Sequence, residues 1–81
     1  MLRIATKTKL NPEEIIKRAV KFFGPEGYKL KIGEKTDTSV SFEGSGGSVG
    51  VIASTEKGKT NVELFSEEWD FQVQEFINTI H

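Results

Sequence analysis

Residues 40–54 constrain the fold of this chain more than any other stretch. Val40 and Phe42 alternate with polar residues, and the same alternation returns in residues 49–54. A period of two places successive side chains on opposite faces of a β-sheet. The intervening residues 44–48 are glycine and serine, which suits a turn because glycine reaches positive φ without steric cost. The pattern predicts a half-buried hairpin with a mobile tip, whose apolar face other elements must cover.

Two amphipathic helices are available to cover that face. Asn11 is placed to cap the first, Pro12 suits its first position, and Gly24 with Pro25 ends it. For the second helix we expect a cap at Ser66, followed by two carboxylates and an apolar stripe at helical spacing. The residues of that stripe are Trp69, Val73, Phe76, Ile77 and Ile80.

Alternating patterns predict three further strands, in residues 2–9, 28–32 and 61–65. The element order is then β-α-β-β-β-β-α. The last four strands are joined by short turns, which favours an antiparallel meander. Residues 1–81 are therefore expected to form a single α+β domain. Its five-stranded, antiparallel-type sheet has the order 1-5-4-3-2, with both helices packed on one face.

This element order resembles one repeat of the TATA-binding-protein fold and, more loosely, the helix-grip ligand-binding proteins. The resemblance covers the whole chain and rests on topology, so it implies a fold and no functional residue. In the TATA-binding protein two such repeats bind DNA on the concave sheet.

The charge is nearly balanced overall but unevenly distributed along the chain. The net charge is −1, which gives no global attraction to nucleic acid or acidic membranes. The first 40 residues hold nine Lys and Arg against five Asp and Glu, and the remainder hold two against seven. No apolar run approaches the ~20 residues of a membrane span. We expect a cytoplasmic protein with no membrane partner.

We expect neither an enzyme nor a cofactor or metal site. There is no cysteine, and the single histidine, His81, is expected to be disordered at the chain end. Residues 53–60 match a relaxed phosphate-loop pattern, but that motif requires a helix after Thr60, where a strand is predicted. We interpret this match as chance within a hairpin turn, and the glycines at 44–50 as a turn between strands.

The sheet face turned away from the helices, called the open face, is the remaining candidate surface. Alternation places on it Arg3, Ala5, Lys7, Lys29, Lys31, Ser39, Ser41, Glu43, Gly50, Ile52, Ser54, Asn61, Glu63 and Phe65. Scattered exposed apolar residues are normal on protein surfaces. Ile52 and Phe65 are nevertheless more apolar than a solvated face requires, and lysines lie toward both edges. The candidate binding residues are therefore Arg3, Lys7, Lys29, Lys31, Ile52 and Phe65.

These features favour a small non-enzymatic interaction domain over the alternatives. The first strand would lie at a sheet edge, where exposed backbone groups favour pairing with a second copy or another protein partner. The main alternative is nucleic-acid binding through Lys7, Lys29 and Lys31 on the open face. Glu43 and Glu63 on the same face argue against it. A small ligand between helix and sheet is a third alternative, for which the chain leaves little volume.

Overall fold

The computed structural model describes residues 2–24, 26–44 and 46–80. Its elements are β1 (Leu2–Thr8), α1 (Pro12–Phe23), β2 (Lys31–Lys35), β3 (Ser39–Gly44), β4 (Gly47–Glu56), β5 (Lys59–Glu67) and α2 (Asp70–Ile80). The strands form one antiparallel sheet in the order β1-β5-β4-β3-β2. The predicted α+β class, element order and strand order are therefore confirmed.

The core lies between the two helices and one face of the sheet. α1 packs on β3 and β4, whereas α2 packs on β5 and β1. At its centre the Phe23 ring lies 5.5 Å from both Phe42 and Phe76, and all three side chains are fully buried. Burying each ring contributes about 1.5–3 kcal/mol. These rings fill the space between helix and sheet, so the structure gives no support to a ligand site there.

The start of α1 follows the predicted capping pattern. The side chain of Asn11 accepts a hydrogen bond from the Glu14 N–H at 2.8 Å, and Pro12 occupies the first turn. This satisfies one of the amide groups that the first helical turn leaves unpaired. At the other end the Gly24 N–H donates to the Val20 carbonyl at 2.9 Å.

The second strand begins later than the alternation predicts, at Lys31 rather than Tyr28. The N–H groups of Tyr28, Lys29 and Leu30 donate to carbonyls at the end of α1 and at Gly24, at 2.8–3.1 Å. They are therefore unavailable to a sheet ladder. Lys29 also has a φ of 64°, which lies outside the β region. The structure thus places Lys29 in the turn before β2.

The glycine-rich segment forms a tight turn rather than the expected long tip. Gly44 pairs with Gly47 across the hairpin, so the strand pairing closes to within two residues, of which Ser45 lies outside the described residues. Gly46 has a φ of 84°, which suits a two-residue hairpin turn.

The hairpin between β4 and β5 also has a two-residue turn, Lys57 and Gly58, with φ values of 50° and 80°. The phosphate-loop match lies across this hairpin and is followed by β5. The segment therefore forms the predicted hairpin turn and lacks the following helix that a phosphate loop requires.

The last strand is longer than predicted and α2 starts later. Ser66, expected as a helix cap, is 2% exposed and pairs with Leu2 on one side and Val49 on the other. Its hydroxyl still accepts a hydrogen bond from the Trp69 N–H at 3.1 Å. β5 ends at Glu67, and α2 begins at Asp70. The residues that predicted the helix start therefore belong mostly to the strand and the connection.

Trp69 packs between the core and the β3–β4 hairpin. A methyl group at Gly44 would lie 3.0 Å from its Cζ2 atom, and one at Gly47 would lie 3.0 Å from its Cδ1 atom. The indole Nε1 is buried and has no hydrogen-bond partner within the described residues. The two glycines thus allow the indole to approach the hairpin closely. His81 lies outside the described residues.

Candidate interaction surfaces

The centre of the open face is a small stacked cluster around Phe65. Phe65 pairs with Gly50 on β4 and with Arg3 on β1. A methyl group at Gly50 would lie 3.5 Å from the Phe65 ring, so the ring partly covers this position. The Arg3 guanidinium lies 5.2 Å from the ring centroid, and it reaches Glu63 at 3.4 Å. The cluster covers part of the Phe65 ring, and this side chain is only partly buried, so the rest of the ring lies at the surface.

Ile52 is the other apolar residue of the open face. It is 43% exposed and pairs with Glu63 on β5 and with Ser39 on β3. Because Phe65 pairs with Gly50, Ile52 and Phe65 are diagonal neighbours rather than a direct pair. The Glu63 carboxylate therefore interrupts the apolar area that Ile52 and Phe65 contribute to the open face.

The three lysines of the nucleic-acid alternative do not form one patch. Lys7 and Lys31 lie on opposite edge strands, four strand spacings of about 4.8 Å apart. They also lie at opposite ends of the sheet, because Lys7 is level with Asn61 of β5 and Lys31 is level with Glu67. Lys31 faces Glu43 directly, whereas Lys7 pairs with Asn61. Lys29 is exposed in the turn that precedes β2. A continuous basic surface along the open face is therefore not formed.

The two edges of the sheet differ in regularity. β1 pairs with β5 through an unbroken register of seven residues, from Leu2 to Thr8. β2 pairs with β3 through a register that shifts between Ile32 and Lys35, and its five residues include four exposed ones. A bulge distorts the backbone groups that an added strand would need. The outer side of β1, called the β1 edge, is the more regular template.

A basic groove lies where β1 ends, and the sequence patterns did not reveal it. Lys7, Lys9, Arg18 and Lys59 line it, together with Leu10 and Ile80. Thr8 pairs with Thr60, so the ends of β1 and β5 bring Lys7 and Lys59 to the same end of the sheet. The predicted strand order already implied this proximity.

The described residues provide little for acid-base or metal chemistry. No three His, Cys, Asp or Glu side chains come together around a common point in residues 2–24, 26–44 and 46–80. The Tyr28 hydroxyl donates to Glu75 at 2.6 Å, and this hydrogen bond raises the pKa of Tyr28 above its usual value of 10.0.

The described residues contain no helix of the length and apolarity that a membrane crossing requires.

Comparison with known proteins supports the fold. The structure is similar to the solution structure of the Aha1 dimer from Colwellia psychrerythraea, with a TM-score of 0.57. The match covers 96% of this chain and 87% of the other, at 14% sequence identity. No protein-family model and no curated protein matches the sequence.

Proposed function

We propose that this chain is a non-catalytic interaction domain that self-associates through the β1 edge. The carrying observation is the unbroken seven-residue register of β1, on whose outer side no other described strand pairs. An edge strand of this kind presents a row of N–H and C=O groups to any chain that approaches in extended form. A second β1 would extend the sheet to ten strands across a two-fold axis.

Apolar side chains beside the β1 edge support the same surface. Leu2 and Ile4 face the core side of the sheet but remain only partly buried. Ile77 on α2 is also partly buried, and helical spacing places it about 200° from Glu75, which contacts Tyr28 on the α1 side. Ile77 therefore lies on the flank of α2 that is turned away from α1. A second copy would cover these three side chains.

Charge favours one register of the paired strands. A two-fold axis at Ala5 would place Arg3 opposite Lys7 of the second copy, and like charges directly opposite destabilise a strand pair. An axis at Ile4 places Arg3 opposite Ala5 of the second copy instead. We therefore propose the Ile4-centred register.

The expected dimer is weak. Stable interfaces bury about 1,200–2,000 Å² in total, and one pair of edge strands with its flanking side chains lies at the low end of that range. The similar protein from Colwellia psychrerythraea is described as a dimer, which supports self-association in this fold.

Sedimentation equilibrium over a micromolar concentration series tests the proposal. We expect a concentration-dependent rise from the 9.0 kDa of one chain toward twice that mass. Ile4→Lys should abolish the rise, because it places a charge beside the β1 edge. Ile32→Lys is the matched control on β2, since both isoleucines are partly buried on an edge strand. A chain that stays monomeric throughout, or equal loss in both variants, would contradict the proposal.

Single cysteine variants test the register, because the native chain has no cysteine. Directly paired residues have Cα atoms about 4.5–5.5 Å apart, within the range that a disulfide spans. Ile4→Cys should therefore form a covalent dimer under mild oxidation, and Ala5→Cys should do so much more slowly. Faster cross-linking of Ala5→Cys would place the axis at Ala5.

A further inference from the structure

The basic groove at the end of β1 combines a volume suited to a small molecule with several positive charges. It has a volume of about 590 Å³, and none of the described side chains that line it is acidic. A second depression, of about 360 Å³, lies between α1 and the β2–β3 connection and contains two acidic and two basic residues. The groove is therefore the larger of these two depressions, and the one with a single sign of charge.

Part of this basic charge is explained by the fold. Arg18 donates to the Thr79 carbonyl at 3.3 Å and pairs with Glu14 at 3.1 Å. A cation near the carbonyl end of a helix is favourable, so Arg18 acts as a cap for α2. The ammonium groups of Lys7, Lys9 and Lys59, in contrast, form no ion pair or hydrogen bond within the described residues.

The apolar lining of the groove is held in place by two buried hydroxyl groups. Thr8 Oγ1 donates to the Ile80 carbonyl at 2.7 Å, and Thr60 Oγ1 donates to the Leu10 carbonyl. Thr8 and Thr60 are 8% and 3% exposed. The positions of Leu10 and Ile80 are thus fixed by the strand ends before any ligand arrives, which lowers the ordering cost of binding.

We propose that this groove binds a small amphipathic organic anion, with a phosphate or carboxylate group and a short apolar body. The anionic group would contact Lys7, Lys9 and Lys59, and the apolar body would contact Leu10 and Ile80. A volume of about 590 Å³ falls within the usual size of small-molecule sites.

NMR titration of the ¹⁵N-labelled protein tests the proposal with four probes: hexyl phosphate, hexanoate, inorganic phosphate and hexanol. We expect saturable amide shifts at Thr8, Leu10, Lys59 and Ile80 with hexyl phosphate or hexanoate, and the comparison identifies the preferred head group. Inorganic phosphate should bind more weakly and hexanol should cause no shifts in the groove. Equal responses to hexyl phosphate and inorganic phosphate would contradict an amphipathic site, as would an absence of shifts with both hexyl phosphate and hexanoate.

Matched variants separate a local site from general charge attraction. Lys59→Gln and Lys9→Gln should each weaken binding about threefold to tenfold, as expected for one exposed charge contact. Lys35→Gln removes the same charge from an exposed residue of β2, at the opposite edge of the sheet from β1, and should leave binding unchanged. Equal losses in all three variants would refute a local site.

Three further measurements complete the test. Raising ionic strength from about 0.02 M to about 0.5 M should weaken binding of the charged probes, because it screens exposed lysines. A single-stranded oligonucleotide that binds more tightly than hexyl phosphate, and shifts amides across the open face, would overturn the small-anion proposal. Ile4→Lys should bind the anion normally, so failure of the dimer and failure of the groove are distinguishable.

Discussion

Two glycines three residues apart on β4 are expected to respond in opposite ways to the same substitution. A methyl group at Gly47 would overlap the carbonyl oxygen of Glu67 and lie 3.0 Å from Trp69 Cδ1. At Gly50 the nearest atom outside the neighbouring residues would be Phe65 Cδ2, at the ordinary contact distance of 3.5 Å. Neither glycine has a positive φ, so the difference between them is one of packing.

The magnitudes follow from these contacts. Overpacking at Gly47 costs about 1–3 kcal/mol, and alanine returns about 0.4–1 kcal/mol through the lower entropy of its unfolded chain. With the middle of each range, Gly47→Ala should therefore lower the free energy of unfolding by about 1.3 kcal/mol. Gly50→Ala should raise it by about 0.4–1 kcal/mol. One kcal/mol corresponds to about 4–8 °C in Tm for a domain of this size.

Urea unfolding followed by Trp69 fluorescence, together with thermal melts by circular dichroism, measures both changes. The m-value should be the same in the two variants and the native chain, which shows that the comparison concerns stability alone. A Gly47→Ala variant as stable as Gly50→Ala would refute the close approach of the Glu67 backbone to the hairpin.

Two other predictions concern the surface. Phe65→Ala should cost about 0.5–1.5 kcal/mol, mainly the contact with Arg3, against about 3–5 kcal/mol for buried Phe42→Ala; similar costs in urea unfolding would place Phe65 in the core. Because the hydrogen bond to Glu75 raises the Tyr28 pKa, its stabilisation is complete below pH 10 and is lost as pH rises through the raised pKa. Absorbance titration of the phenol should show that midpoint above 10 in the native chain and near 10 in Glu75→Ala.

Alternation was sufficient to predict which side chains face the core on β3, β4 and β5. Phe42, Val51 and Leu64 are buried as predicted, because a period of two leaves a strand only one register that buries its apolar side. The capping of α1 by Asn11 was also predictable, because it depends only on neighbouring residues. The order of β2 to β5 followed from their short connections, since strands that are neighbours in sequence usually pair.

The remaining features depended on distant parts of the chain. The N–H groups of residues 28–30 are occupied by the end of α1, which no alternation pattern reports. Gly44 and Gly47 pair in the β3–β4 hairpin, and both also lie against Trp69. This contact joins residues that are far apart in the sequence, so the local glycine pattern does not reveal it. In the groove, the proximity of Lys7 and Lys59 followed from strand order, whereas the position of Arg18 depends on how α1 approaches the end of α2.

The pairing of β1 with β5 has a consequence for the order of folding. The hairpins β2–β3, β3–β4 and β4–β5 close over short separations, whereas Thr8 reaches Thr60 only after the rest of the meander has been traversed. Long loop closure carries an entropy cost that local contacts must offset first. We therefore expect β1 to dock late in folding. β1 is also the strand proposed to pair with a second copy. Among the five strands we therefore expect β1 to exchange its amide hydrogens earliest, and a partner bound there would slow that exchange.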